Sequence, residues 1–524
     1  MPTSFYAAQI YPQFKNEIDK LELWLLSITP SFGQYSSQAF TKRLTQRVVE
    51  IGLVPYVELY AANFEQQSLI SNTENLEFGS LKFNRKSGAL SLSLRLFLQS
   101  VLEFHVHWLH ALFQVVMGLL KKSEPKGSAS IIFGVGIENI FVEDTDLRFI
   151  EYCRFGAIDP LRQSKRLIVQ AVTNSQSTNA SYLEYSRFPL FALMLGNPLK
   201  FSAFSRFFLQ HFKMVLAYWL AIIRFPLVSL LGRDFAYHAI ADDLNDRNLI
   251  ESIIITNSNY SAQPLWMSNL PKKNFKTHMV WYAQNTVPIA YKNNPIKASI
   301  PNYYYMQVDT HWVWTKGYAE YLISLGIKSE IKVVGPIVWH LAPESLQKKN
   351  KSNEVVISVF DVTPVNNDFA EKIGLYNNYY NPSNMLDFIK KIEKLKSELE
   401  KNNIKVRILL KHKRYYNAAH AKEYVLYVAQ AAQDGTIELV DTQLNIFSIV
   451  ASSDLIVVVP YSSPVYVADS LAVPAIFYDT TETVFPVYEK TDYVHFASGY
   501  EELISLSKKI LNVNASLNIQ IGVG

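Results

Sequence analysis

One cysteine, Cys153, stands among 524 residues. An internal disulfide is excluded, as is any zinc site built on several cysteines. Such sparse use suits a reducing compartment. Charge is also scarce. Charged residues make up 18% of the chain, and 50 basic against 46 acidic side chains leave a net charge of +4. So small an excess gives no electrostatic footprint for nucleic acid, and no nucleic-acid-binding motif is present. No G-x-S-x-G and no Walker loop occur, which removes serine-hydrolase and P-loop chemistry. The 11 histidines show no H-E-x-x-H and no close metal spacing, and "HVHWLH" (His105, His107, His110) reads as a helix surface or an interface. The start, "MPTSFYAAQIYPQFKNEIDK", lacks the basic-then-apolar layout of a signal peptide. The expectation is a cytoplasmic protein.

A clean apolar run of about 20 residues, the requirement for a spanning helix, is missing as well. Leu90 to Leu120 is long and apolar but contains Arg95, Glu103 and three histidines. "FFLQHFKMVLAYWLAIIRFPLVSLLGR", Phe207 to Arg233, comes closer and is interrupted by Lys213, Arg224 and Pro226. Apolar and aromatic residues with sparse basic ones suit a helix lying in a membrane interface. A buried helix pair is the competing reading. The first 125 residues read as mostly helical.

Apolar residues are plentiful, 49% of the chain with 13% aromatic, enough for large cores. From Ala129 onward short β-branched runs alternate with helical ones: "ASIIFGVG", "SKRLIVQAV", "ESIIITN", "HMVWYA", "THWVW" and "KVVGPIV". After a polar stretch at 341–354 the alternation restarts with "VVISVF", "KVRILLK", "TIELV", "DLIVVV" and "PAIFYD". Unbroken apolar strands between helices predict parallel sheets covered on both faces. The fold class is therefore α/β: two Rossmann-like doubly wound domains with extra apolar helices in the N-terminal half. Residues 1–340 form the first domain, 341–354 a linker and 355–524 the second domain.

In such sheets ligands bind beyond the C-terminal strand ends. "PYSSP" follows the strand "DLIVVV" and opens a helix, with Ser462 or Ser463 as N-cap and Pro464 in the first turn. Helix N-terminal amides plus two hydroxyls make an anion cradle; an ordinary Ser-Pro cap is the plainer alternative. Lys411, His412 and Arg414 follow another strand of the same domain, again suited to an anion. Asp361 and Thr363 follow the domain's first strand. In the N-terminal half the polar groups at strand ends are Glu138, Asn257, Asn259, Gln263, Gln284, Asn285 and Thr286. Glu143, Asp144 and Asp146 read as a solvated acidic turn, and no metal site is expected. Trp266, Tyr379 and Tyr380 are candidates for stacking on a sugar or base, with packing as the simpler role.

The segment from Val355 to Thr481 resembles the donor-binding domain of GT-B glycosyltransferases of bacterial surface polysaccharide synthesis. The likeness rests on the histidine turn "KHKR", on "SDLIVVVPYSS" and on "VPAIFYD". Bacterial sialyltransferases and capsular Kdo transferases share the histidine turn and the paired serines. Teichoic-acid glycerophosphotransferases are similar over "VVVPYSSPVYVADSLAVPAIFYD". The resemblance implies that His412, Ser462 and Ser463 hold the phosphate of a nucleotide donor. Lys413 stands where the pattern has proline, and the acidic Asp/Glu-Asp/Glu-Gly motif of sialyltransferases is missing.

The expectation is thus a metal-independent glycosyltransferase of capsule or O-antigen synthesis that needs no cofactor. Its donor is a nucleotide sugar, preferably a CMP-linked ulosonic acid, and its acceptor a glycan or lipid-linked molecule at the inner membrane face. Glu138 and Asp361 are the catalytic candidates; Lys411, His412, Arg414, Ser462, Ser463, Gln284 and Asn285 are the binding candidates. A CDP-glycerol-type polyol-phosphate transferase and a non-catalytic scaffold remain as alternatives.

Overall fold

The computed structural model describes residues 19–27, 37–48, 75–78, 81–84, 86–87, 89–120, 124–133, 164–170, 182–197, 201–256, 263–269, 273–281, 292, 307–324, 326–337, 354–368, 379–412, 415–442, 444–486 and 491–511. The expected linker falls outside this set except for Glu354.

After a helical stretch at 19–27, the N-terminal part contains α1 (Ser37–Val48) and a small antiparallel sheet of β1 (Asn75–Phe78), β2 (Leu81–Asn84) and β3 (Leu90–Leu92). The described residues of this start are mostly helical, as expected, and the small sheet is an addition to that expectation. Its strands have three or four residues each, too short for alternation to stand out from helical patterning. Helix α2 (Leu94–Leu120) follows.

The first parallel sheet contains β4 (Ala129–Phe133), β5 (Leu167–Gln170), β6 (Leu183–Ser186), β7 (Ile250–Thr256), β8 (Lys276–Val280), β9 (Thr310–Val313) and β10 (Glu330–Val333), in the order β10-β9-β8-β7-β4-β5-β6. Interleaved are α3 (Pro189–Leu195), α4 (Phe201–Arg224), α5 (Gly232–Asp246), α6 (Leu265–Asn269) and α7 (Lys316–Ser324). The run expected as one interfacial segment breaks at Pro226. Proline cannot supply the amide that continues α4, so the chain makes a short 3-10 turn, Pro226–Leu231, before α5. Gly232 at that junction is required by packing: a Cβ there would lie 2.8 Å from Phe104 Cβ on α2.

The second parallel sheet runs β13-β12-β11-β14-β15-β16. Its strands are β11 (Glu354–Phe360), β12 (Lys405–Lys411), β13 (Glu438–Val440), β14 (Leu455–Val458), β15 (Ala475–Asp479) and β16 (Val494–Ser498). Its helices are α8 (Pro382–Glu400), α9 (Lys422–Gln433), α10 (Ile446–Ala451), α11 (Pro464–Ser470) and α12 (Tyr500–Ile510). Every pairing in both large sheets is parallel. The central strands are buried on both faces; β14 and β15 are buried at every position. That explains their unbroken apolar runs.

Strand order reverses between β4 and β7 in the first sheet and between β11 and β14 in the second. In doubly wound sheets ligands bind beyond the C-terminal ends at such a reversal. Connections leaving the two C-terminal edges touch. Lys292, between β8 and β9, donates from Nζ to the Glu482 carbonyl (2.6 Å) and to Ser498 Oγ (3.0 Å). Trp314, just past β9, meets the Tyr466 ring of α11 edge-on at 6.4 Å. The two sheets thus turn their C-terminal edges toward each other.

Candidate functional site

Parallel pairing of Phe360 with Lys411 sets the ends of β11 and β12 level. The next residues, Asp361 and His412, therefore stand side by side. His412 Nδ1 lies 3.1 Å from Asp361 Oδ2. The Tyr424 hydroxyl, from α9, donates to the same oxygen at 2.7 Å, and Thr363 Oγ1 reaches it at 3.4 Å. The Asp361 side chain has no exposed surface. A buried carboxylate is tolerable only with such a set of donors. Asp361 fixes the imidazole with its Nδ1 proton inward and Nε2 outward. There Nε2 meets the Tyr416 hydroxyl at 2.6 Å. Burial, and then the Asp361 charge, push the phenols of Tyr416 and Tyr424 well above their ordinary value. Both stay neutral donors.

The next strand over, β14, leads into Pro460, Tyr461, Ser462 and Ser463. Tyr461 adopts φ +62°, a left-handed conformation that costs a bulky residue of order 1 kcal/mol. The turn is held by the Tyr461 hydroxyl donating to the Phe485 carbonyl (2.5 Å) and by Tyr380 donating to the Pro460 carbonyl (3.0 Å). Ser463 takes the N-cap position of α11 with Pro464 following, but its hydroxyl makes no capping bond. Ser462 and Ser463 are half-buried. The strained turn thus places two serines just past the C-terminal end of β14, beside the reversal between β11 and β14.

Lys411 points elsewhere: it is buried, and its Nζ donates to the Thr442 carbonyl at 2.5 Å. Tyr379 is a framework residue, donating at 2.8 Å to the buried Asp479, whose carboxylate also receives the amides of Thr481 and Val484. Gln263 is tied to the backbone of Gln307 at both ends of its amide. Of the other candidates, Glu138, Glu143, Asp144, Asp146, Asn257, Asn259, Gln284, Asn285, Thr286, Lys413 and Arg414 lie outside the described residues. Among the described residues no group of three or more His, Cys, Asp or Glu could hold a metal ion.

Sequence reasoning did not single out Tyr416 or Tyr424. The spacing of Tyr416, four residues after His412 across a turn, is a signal only once the turn's path is known. It also did not find a cavity of about 320 Å³ at the C-terminal edge of the first sheet. Phe133, Gln170 and Ile255, from the ends of β4, β5 and β7, contribute to its floor, and Trp266 to its wall.

Next to this cavity, α2 and α4 pack antiparallel. Phe104 stacks on Tyr218 with ring centroids 3.8 Å apart, and Trp108 on His211 at 4.9 Å. Their outer faces are apolar and exposed: Leu94, Leu98, Leu102, Val106, Leu109 and Phe113 on α2, and Leu209, Phe212, Leu216, Leu220 and Ile223 on α4. No described helix is long and apolar enough to cross a membrane.

Two facing Rossmann-like parallel sheets with flanking helices define the class: a GT-B-like protein. Residues 214–506, more than half of the chain, match the family profile of the polysaccharide biosynthesis PFTS motif proteins, and the chain belongs to that family. No curated protein matches it. Among solved structures it is similar to the trehalose 6-phosphate synthase of Burkholderia multivorans, with 9% identity, 73% of this chain and 91% of that one covered, and a TM-score of 0.40. The UDP-GlcNAc 2-epimerase of Methanocaldococcus jannaschii gives 14%, 74%, 93% and 0.38 for the same quantities. The wall teichoic acid polymerase TagF gives 12%, 80%, 90% and 0.39. Similarity at this level assigns neither substrate nor reaction.

Proposed function

We propose that this chain is a metal-independent glycosyltransferase of bacterial cell-surface polysaccharide assembly, acting at the inner face of the cytoplasmic membrane. The observation that carries the reading is the placing of the Asp361–His412 pair and the Ser462–Ser463 turn on one edge of the second sheet. They lie at neighbouring strand ends around the reversal point of the second sheet. Membership in a polysaccharide biosynthesis family supports it.

In this reading the second sheet holds a nucleotide sugar. In the imidazolium form, with its Nε2–H turned from Tyr416 to the ligand, His412 joins the hydroxyls of Ser462 and Ser463 in holding the leaving phosphate and offsets the charge that develops as the glycosidic bond breaks. Arg414 adds positive charge on the same loop. Asp361 acts through His412 as a positioning residue, since its buried carboxylate is occupied by three donors. Lys411 braces the strand end through the Thr442 carbonyl. The acceptor enters from the first sheet, where Glu138, in the segment after β4, is the general base for the acceptor hydroxyl, and Gln284 and Asn285 bind substrate. The preferred donor is a CMP-linked ulosonic acid, favoured by the likeness of both turns to those of CMP-sugar enzymes. The exposed faces of α2 and α4 rest on the membrane surface. Their basic residues Arg95, Arg206, Lys213 and Arg224 are exposed, as suits anionic lipid.

Calorimetry of the full chain with CMP, UDP, GDP and CDP tests this. Saturable binding of CMP is expected. Binding of none sinks the transferase reading, and preference for UDP sinks the cytidine part. Turnover of CDP-glycerol would make it a polyol-phosphate transferase; nucleotide binding with no turnover of any donor would make it a scaffold.

A further inference from the structure

The cavity at the edge of the first sheet has a composition that the donor site does not explain. Four arginines line it: Arg43 and Arg47 from α1, Arg187 just after β6, and Arg233 in the first turn of α5. Two carboxylates also line it, Glu103 and Asp234. Asp234 is already spent. It accepts from Arg43 Nε at 3.1 Å and from the Leu265 amide at 3.1 Å, so it locks α1 and α6 onto α5. Glu103 is half exposed and pairs with His107 at 3.7 Å. The hydrogen bond from His107, and then the charges of Arg47 and Arg233, hold its carboxyl below the ordinary value. Among the described residues, no carboxylate lies within ion-pair distance of Arg187 or Arg233. Both side chains are exposed, and the Arg187 guanidinium is stacked over the Phe188 ring at 5.5 Å. Positive charge is therefore in excess, and two guanidinium groups keep donors for a ligand.

Arginine's planar fork matches phosphate oxygens two at a time. The cavity also sits at the reversal point between β4 and β7, where a doubly wound sheet takes its ligand. Its lining reaches α2 of the apolar helix pair through Glu103. On α2, Glu103 lining the cavity is adjacent in sequence, one step around the helix, to Leu102, which is 65% exposed. A positively charged hole opening beside an apolar membrane-facing stripe fits a ligand with an anionic head and a hydrocarbon tail.

We propose that this cavity binds the phosphate or diphosphate group of a lipid-linked acceptor, with the lipid chain leaving along the exposed face of α2 and α4. The proposal rests on the acceptor-side role given to the first sheet above and names its substrate class. Arg187 and Arg233 grip the anionic group, while Arg43, pinned by Asp234, and Arg47 set the field around it.

The probe is geranylgeranyl diphosphate, titrated into the full chain in detergent below its micelle concentration, with geranylgeraniol and inorganic pyrophosphate as parallel ligands. Saturable binding of the prenyl diphosphate, stronger than that of either part alone, is expected. Arg187→Gln and Arg233→Gln should each weaken it about tenfold, the size of one lost charge-assisted contact, with CMP binding and thermal midpoint unchanged. Equal binding of the alcohol, equal binding of free pyrophosphate, or indifference to both substitutions overturns the proposal. Because CMP binding is read on the same samples, failure of the donor assignment is seen separately from failure of this one.

Discussion

Asp361 Oδ2 and His412 Nδ1 lie 3.1 Å apart at the ends of two adjacent parallel strands. The carboxylate is buried and the imidazole nearly so. A contact set by strand register cannot drift without disturbing the sheet, so it is a fixed support for whatever meets Nε2. His412→Ala should weaken CMP binding about tenfold or more, the loss of one hydrogen bond to a charged group. Asp361→Asn should weaken it too, by freeing the imidazole to take the wrong tautomer. It should also lower stability by about 3 kcal/mol, because a phenol, a threonine hydroxyl and an imidazole lose their buried anionic acceptor. Calorimetry and urea unfolding check the two effects separately. Full affinity in the alanine variant removes His412 from the site.

The paired serines separate folding from binding in a different way. Ser463 occupies the N-cap position without making a side-chain cap. A cap removed from a helix usually costs about 1 kcal/mol. Here the double variant Ser462→Ala and Ser463→Ala should cost less than that in urea unfolding. It should still reduce CMP affinity about tenfold, whereas cytidine, which has no phosphate, should bind it as it binds the parent. Equal losses for nucleotide and nucleoside would show that the turn does not read phosphate.

The apolar stripe makes a prediction about location. Replacing Leu98, Phe113, Leu216 and Leu220, all at least 50% exposed, by serine should abolish co-sedimentation with vesicles rich in anionic lipid. Surface changes of this kind leave stability within about 0.5 kcal/mol each, so the thermal midpoint in detergent should hold. Unaltered sedimentation would remove the membrane role from these helices.

Stability should fall on mild acidification. Burial pushes His211, His238 and His278 down to about 4 and His311 to about 3, from an ordinary 6.5. Above pH 6.5 these groups are neutral folded or unfolded and contribute nothing to the pH dependence. Below it the unfolded chain takes up protons that the folded core refuses, so stability is lost from about pH 6.5 down to about pH 4. Each histidine adds up to about 1.4 kcal/mol per pH unit to the slope. His278 and His311 accept from the indoles of Trp312 (3.3 Å) and Trp281 (3.2 Å) through Nδ1, which ties that ring nitrogen to the neutral form. Urea midpoints measured from pH 7.5 to 4.5 check the sign. A midpoint that rises on acidification contradicts it.

Much of the architecture was legible. β7, "IESIIIT", and β14, "LIVV", are apolar because each lies between two strands and under helices, and that local record needs no tertiary information. β6, "LEYS", was missed because only Leu183 is buried at this sheet edge. β16, "VHFAS", was missed for the same reason, with two buried positions of five. An edge strand meets one neighbour and partial cover, so its pattern fades into that of a loop. The position of His412 just past a strand end was legible, and so was the serine turn as a helix start. Which groups meet was not: Tyr424 reaches Asp361 from 63 residues away.

The sequence by itself determined the alternation of strands and helices, the two doubly wound sheets, and the placing of polar turns at strand ends. Those features follow from which residues each segment must bury, and burial is written in local periodicity. The assembled fold alone set Asp361 beside His412 and turned Lys411 to a carbonyl. It alone decided that arginines from α1, the turn after β6 and α5 share one cavity. Those outcomes depend on strand register and helix packing between segments distant in the chain, where no local pattern records who the neighbour is.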